Sequence, residues 1–396
     1  MFDLCGGATR ARLARELDEL ASQSQLRCLV PASRSGGRVD LTSNDYLGLS
    51  CHPGLRQAAL EAIQQGEAMA STGSRLLSGN ARAWEELEAE FAAFAGTEAA
   101  IFFNSGYAAN VGLLSSVLRR GDVAFSDSAN HASLIDGMRL ARARKVIFPH
   151  LDLGALEDQL RLAAAAPGEK FIVTESVFSM EGDRAPLRKL AELGAQYGAE
   201  LIVDEAHATG VFGPEGRGRL AEAGLSRVAL AGVFTCGKAL ASCGAFVACS
   251  ATLKRFLVNR ARTFIFSTAL PPYMARQVSA ALALTRRADP QRSRLQALSS
   301  ALRSKLKASG LDTGASDSQI VPVFLSENDR AIEAAECLDR AGFTLRAIRP
   351  PTVPAHTARL RISVNAELPS EAVERVAHAL SVCARNGVPP VAEHPA

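Results

Sequence analysis

Lysine is scarce in this chain. Seven lysines (145, 170, 189, 238, 254, 305 and 307) stand among 44 basic residues, so arginine is the default cation. Arginine cannot lose its proton; a lysine can, and can then attack as an amine. Lys238 lies in the apolar, glycine-containing run GVFTCGKAL, where its type calls for a chemical reason. Asp204 precedes it by 34 residues, at the end of the apolar run LIVD, and His207 follows three residues later. Thr235 stands three residues before the lysine. Two further groups belong to the same pattern: Asn130-His131 after DVAFSD, and Asn104-Ser105-Gly106-Tyr107 after AAIFF.

These residue types suit one kind of ligand, an aldehyde cofactor with a pyridine ring and a phosphate. Lys238 can form a Schiff base with the aldehyde. A carboxylate at Asp204 suits a partner that must stay protonated, such as a pyridinium nitrogen. His207 can hydrogen-bond a phenolic oxygen, and Thr235 can place its hydroxyl on the phosphate. The backbone N–H groups of Gly106 and Tyr107 open a helix, which is a ready anion site. His131 is placed to lie over the ring. Each member alone has a plainer use: an aspartate after a strand also caps helices. The combination of interval and flanking residues is what points to chemistry.

The elements that must position them are legible as alternating runs. Apolar runs at 99–103, 122–127, 145–149, 170–176, 200–206, 232–236 and 244–250 alternate with helical patterns such as PLRKLAELGAQYGA. Such runs, separated by helices, predict an α/β fold with a mostly parallel sheet covered on both faces. The last two runs are joined by a glycine-containing loop and are expected to pair differently. In open α/β sheets a ligand sits beyond the carboxyl ends of the strands, which is where the chemical residues fall. After Pro271-Pro272 the spacing predicts one long helical region, about 273–308, and then a small α+β domain. The expected division is 1–45 for an N-terminal helix and strand segment packing with the small domain, 46–285 for the large domain, and 286–396 for the small one.

Composition excludes several alternatives. Of the 396 residues 47% are apolar and 21% charged, and the net charge is +3. That balance gives no reason to expect nucleic acid or an anionic membrane as partner. No apolar run approaches the ~20 residues that span a bilayer. The first twenty residues mix acids and bases without an apolar stretch, which predicts no secretory signal and a cytoplasmic location. The eight cysteines contain no CxxC pair, so the expectation is reduced thiols and no metal. Asp204-Glu205-Ala206-His207 spells a helicase motif, and GVFTCGKA nearly spells a phosphate loop. Ala239 lacks the hydroxyl that Mg²⁺ needs, and the two motifs stand in the wrong order, so a nucleotide-driven motor is excluded.

At these residues the sequence resembles the pyridoxal-phosphate enzymes of aspartate-aminotransferase fold (fold type I), and within them the α-oxoamine synthases. The likeness runs from about Arg27 to Asn365, through LTSNDYLGLS, STGSRLLSGN, NSGYAAN, ANHASLIDG, VTESVFSMEGD, VDEAHATGVFGPEGRG, TCGKAL and FSTALPP. It implies a fold type I large domain with a small α+β domain, and pyridoxal 5′-phosphate as cofactor. Lys238 then matches the Schiff-base lysine, Asp204 and His207 the ring-nitrogen and phenolate partners, and His131 the stacking histidine. Gly106 and Tyr107 match the phosphate loop, and Ser179 and Thr235 further cofactor contacts. Ser267 and Thr268 resemble a segment that reaches the partner subunit's phosphate, which implies a homodimer. Arg361 matches the arginine that holds the amino-acid carboxylate, and Arg27 and Thr352 match acyl-substrate positions. The stretch Ile348-Arg-Pro-Pro-Thr-Val-Pro354 points to the branch that condenses L-alanine with a pimeloyl thioester, carried by CoA or acyl-carrier protein. A sister branch joining glycine to acetyl-CoA shares every cofactor residue; a non-catalytic scaffold would have lost Lys238 or Asp204. The chain departs from the family pattern at Trp84, Cys236, Cys243 and His356. The last stands where glycine is usual, and its bulk is expected to narrow the acyl channel.

Overall fold

The computed structural model of this chain describes residues 8–29, 31 and 37–385. Cys5 lies outside them. The chain divides into two compact units, one of residues 44–296 and 365–367, the other of residues up to 43, 297–364 and from 368 onward. The division near the second boundary falls after Gln296, inside a helix, rather than after residue 285.

A two-residue strand, β1 (Val39–Asp40), precedes the main sheet. The larger unit is built on seven strands: β2 (Ala99–Phe103), β3 (Val123–Asp127), β4 (Arg144–Phe148), β5 (Lys170–Glu175), β6 (Ala199–Asp204), β7 (Ala231–Thr235) and β8 (Ala245–Cys249). Their order across the sheet is β2-β8-β7-β6-β5-β3-β4. Pairing is parallel from β7 to β4, whereas β8 runs antiparallel to both β7 and β2. Each strand coincides with one of the seven apolar runs, and β8 is the one that pairs differently. Every residue of β3, β7 and β8 is buried, as expected of strands covered on both faces. The edge strand β4 buries only Phe148.

Helices Gly106–Val117 and Ala132–Ala141 pack tightly on one face. Gly137 makes that approach possible: a Cβ there would meet the Asn110 carbonyl oxygen at 3.0 Å and Leu114 at 2.9 Å. The core beneath includes Ile101, Leu113, Leu114, Val173, Ile202 and Val233. On the other side Phe91 stacks on Phe246 with centroids 3.9 Å apart, and Trp84 stacks on Phe102 at 4.4 Å. Trp84 is thus a core residue at 1% exposure.

The smaller unit pairs β9 (Ile320–Ser326), β12 (Ala358–Ser363) and β11 (Ala347–Ile348) in an antiparallel sheet of order β11-β12-β9, and β1 with β10 (Phe343–Thr344) in a parallel one. Two sequence expectations need correction. The helical region 273–308 is two helices, Tyr273–Arg286 and Asp289–Ala308, separated at Arg287-Ala288. Pro290 explains the break: it has no N–H to continue a helix but suits a helix's first turn. Cys337 and Cys383 are joined in a disulfide, because helices Asn328–Arg340 and Ser370–Arg385 pack together and bring their Cα atoms to 6.7 Å. Cys28, Cys51, Cys236, Cys243 and Cys249 form no disulfide. Among the described residues no helix is long and apolar enough to cross a membrane.

One buried charge cluster ties β2 to its surroundings. Glu88, 2% exposed, receives Arg75 at 2.9 Å, Lys254 at 2.8 Å and the Phe102 N–H at 3.0 Å. A carboxylate so buried is tolerable only with such partners, and removing it strands two cations. Glu88→Ala is therefore expected to lower unfolding free energy by about 3–5 kcal/mol, measured by urea denaturation. A loss below about 1 kcal/mol, the scale of an exposed pair, would contradict this account.

Candidate active site

At the carboxyl ends of the parallel strands lies a cavity of about 160 Å³. Its wall brings together Gly106, Tyr107, His131, Asp204, His207, Thr235 and Lys238. They arrive from separate places. Gly106 and Tyr107 open the helix after β2, and His131 opens the helix after β3. Asp204 closes β6 and Thr235 closes β7, while Lys238 sits in the loop beyond β7.

Asp204 is 5% exposed, and its charge is met by placed donors. Asn110 Nδ2 donates to Oδ2 at 2.6 Å, and the Ala206 N–H donates to Oδ1 at 2.8 Å. His207 has its Nδ1 2.7 Å from the hydroxyl of Tyr46, which is itself fully buried. The Tyr46 hydroxyl also reaches Asn44 Oδ1 at 3.0 Å.

His131 caps its helix: Nδ1 accepts the Ser133 N–H at 3.2 Å. An accepting Nδ1 leaves the ring proton on Nε2 and the imidazole neutral. Burial lowers its pKa; the pull of Asp204 opposes this and the Lys238 charge adds to it. The ring thus stays neutral at pH 7. Ser133 Oγ lies 2.8 Å from His131 Nδ1 and accepts from Asn110 Nδ2 at 2.9 Å. A continuous chain, His131–Ser133–Asn110–Asp204, therefore links this histidine to the carboxylate.

The start of the helix after β2 is shaped by a missing side chain. Ser105 caps the helix by accepting the Ala108 N–H at 3.1 Å. A Cβ on Gly106 would stand 2.5 Å from Thr235 Cγ2, so only glycine leaves the helix start open beside that threonine. The Thr235 hydroxyl donates to the Ala206 carbonyl at 3.3 Å. The Tyr107 hydroxyl donates to Asp136.

Glu175 closes β5 directly opposite Asp204 in the register, at 2% exposure, and also lines the cavity. Burial first, and the Asp204 charge second, push its pKa well above the usual carboxylate range, against the pull of Lys238. Glu175 is thereby held toward its acid form. Glu175, Asn110, Ser133 and Tyr46 are the site residues that sequence reasoning missed. Asn110 carried a signal: it is a polar residue on the buried face of an otherwise apolar helix.

The remaining predicted residues lie elsewhere. Ser179 is buried in the turn after β5 and is not among the residues lining the cavity. Ser267 borders a separate crevice beside Trp84, and the Thr268 carbonyl accepts from Asn104 at 2.8 Å. Arg27, Thr352 and Arg361 belong to the smaller unit. There Arg27 donates to the Thr352 hydroxyl at 2.8 Å beside a cavity of about 560 Å³. Arg361, on β12, is 9% exposed. His356 does not narrow that cavity: its side chain is 79% exposed and meets Glu327 at 3.1 Å. Its φ is +59°, which is why glycine suits the position.

Comparison with known proteins shows the family. Residues 37–380 match the family described as aminotransferase class I and II. The 8-amino-7-oxononanoate synthase of Geobacter sulfurreducens is 44% identical over 380 residues, covering 93% of this chain and 97% of the relative. Among solved structures, serine palmitoyltransferase of S. paucimobilis with a bound PLP–myriocin aldimine superposes with a TM-score of 0.87, at 29% identity, covering 95% of this chain and 97% of that one. The 8-amino-7-oxononanoate synthase of Francisella tularensis gives a TM-score of 0.77 at 30% identity, covering 88% and 98%. This chain belongs to the aminotransferase class I and II family, in the branch of the 8-amino-7-oxononanoate synthases.

Proposed function

We propose that this protein binds pyridoxal 5′-phosphate and condenses L-alanine with a pimeloyl thioester, releasing CO₂, the free carrier and 8-amino-7-oxononanoate, a step of biotin biosynthesis. One observation carries the reading: Lys238, Asp204, His207 and His131, from three separate segments of the chain, line one cavity at the strand ends. The relatives' names give the product, 8-amino-7-oxononanoate; alanine and the pimeloyl thioester follow from the family resemblance of the sequence. The residues present fit the cofactor. A buried carboxylate met by two donors, a neutral imidazole and an open helix start suit a pyridinium, its flat face and a phosphate in turn.

When bound, the cofactor supplies an electron sink for the carbanion formed at the alanine Cα. The chain's own residues do the rest. Lys238 Nζ anchors the cofactor and, once released, accepts the Cα proton. Asp204, held by Asn110 and the Ala206 N–H, would keep a proton on the ring nitrogen. His207, oriented by Tyr46, would hold the phenolic oxygen, and His131 would stack on the ring. Thr235, Gly106 and Tyr107 would take the phosphate, and Ser179 would add a cofactor contact. Arg361 binds the amino-acid carboxylate, and Arg27 and Thr352 bind the acyl chain. The cavity of about 560 Å³ beside Arg27 and Thr352 has the volume of a small-molecule site. The same reading makes the protein a homodimer, with Ser267 and Thr268 turned to the partner. Leu76, Leu77 and Phe266, all exposed around the Ser74–Thr268 bridge, would be covered by the second copy.

Three results are expected. Borohydride reduction of the holoenzyme followed by peptide mapping should place the cofactor on Lys238; a label on another lysine overturns the assignment. Asp204→Asn should fold normally yet lose about a hundredfold or more in rate, roughly 3 kcal/mol, because a neutral amide holds no proton on the ring nitrogen. Near-normal turnover would reduce Asp204 to a structural cap. In competition, alanine with a pimeloyl thioester should show the highest kcat/KM. A higher value for glycine with acetyl-CoA would move the protein to the sister branch and leave the cofactor reading intact.

A further inference from the structure

One histidine outside the cavity joins two of the loops that supply the site. The sheet order sets the carboxyl ends of β5, β3 and β4 side by side. His150 stands just past the end of β4. Its Nδ1 lies 2.8 Å from Oδ1 of Asp127, the last residue of β3. Its Nε2 lies 2.9 Å from Oδ2 of Asp183, in the turn after β5. Both aspartates are buried, and Phe178 meets the ring edge-on with centroids 4.4 Å apart. A ring whose two nitrogens both face carboxylates carries a proton on each and is an imidazolium.

Each aspartate organises a loop with a site residue. Asp127 accepts the Ala129 N–H at 2.8 Å and the Leu151 N–H at 2.9 Å, fixing the segment that ends at His131. The Asp183 carbonyl accepts the Phe178 N–H at 3.0 Å, closing the turn that holds Ser179. We propose that His150 is a positioning residue: it pins the His131 loop to the turn after β5 and so sets where the His131 side chain stands in the cavity.

Burial opposes the ring's charge, but the hydrogen bonds and charges of Asp127 and Asp183 outweigh it and raise its pKa from 6.5 to about 10. These two aspartates are the charged groups that face the ring; Phe178 supplies the apolar contact. Because the folded value is raised, the contribution is complete below the unfolded pKa and is lost as pH rises through about 10. The clamp is therefore closed across the neutral range.

This inference rests on the cavity being a pyridoxal-phosphate site. The experiment titrates full-length wild type, His150→Gln and Asp183→Asn with pyridoxal phosphate at neutral pH, following affinity and the visible circular dichroism of the bound cofactor. Asp183→Asn preserves volume and guards against a misfolded His150 variant. Folded variants should bind about tenfold to a hundredfold more weakly, with an altered dichroic band, the scale expected for a displaced site. Unchanged affinity and dichroism, with only a lowered melting temperature, would show a fold staple and overturn the proposal. Failure of the wild type to bind the cofactor would overturn the reading of the cavity and this inference with it.

Discussion

The site depends on two carboxyls set side by side at the ends of buried strands. Asp204 is nearly inaccessible to water, and two donors meet its oxygens, Asn110 from the facing helix and the backbone N–H of Ala206. Its neighbour Glu175 has Oε1 unpartnered, and burial first and the Asp204 charge second push it toward its acid form. The surrounding side chains are arranged around this pair.

The rest of the larger unit serves that arrangement. Parallel strands put Asp204 and Thr235 on one edge of the sheet, and helices follow the strands with their N-termini at the same edge. Gly106 keeps one helix start open and Gly137 lets two helices approach, so Asn110 and Ser133 touch across the contact. The antiparallel β8 closes the loop that bears Lys238: the Cys236 N–H donates to the Gly244 carbonyl at 2.9 Å, and the Ser242 N–H to the Cys236 carbonyl at 2.9 Å. A lysine in so short and tied a loop has little freedom to stand elsewhere. Cys236 beside it is buried, and burial pushes its thiol well above the usual range, so it is no rival nucleophile.

Much of this was legible in the sequence, for physical reasons that can be named. Strands buried on both faces must be apolar throughout, so all seven runs stood out. Residues that act at strand ends must follow those runs directly, which exposed Lys238, Asp204, His207, Thr235 and His131. What stayed hidden depends on contacts distant in the chain. Tyr46 reaches His207 across 161 residues, and Asn110 reaches Asp204 across 94. The Cys337–Cys383 bond follows from two helices packing together, which spacing alone does not reveal. The break before Pro290 was within reach and was missed because the flanking residues keep a helical pattern on both sides. His356 was noticed as an oddity; only the backbone angle explains it.

The central claim is that Lys238, working beside a cofactor charged by Asp204, takes the Cα proton of an amino acid. Exchange of that proton with solvent deuterium, followed by NMR in L-alanine without any thioester, tests it most directly. The account predicts exchange that requires pyridoxal phosphate and vanishes in Lys238→Ala. Exchange that persists in that variant, or its absence in the cofactor-loaded wild type, would contradict the account.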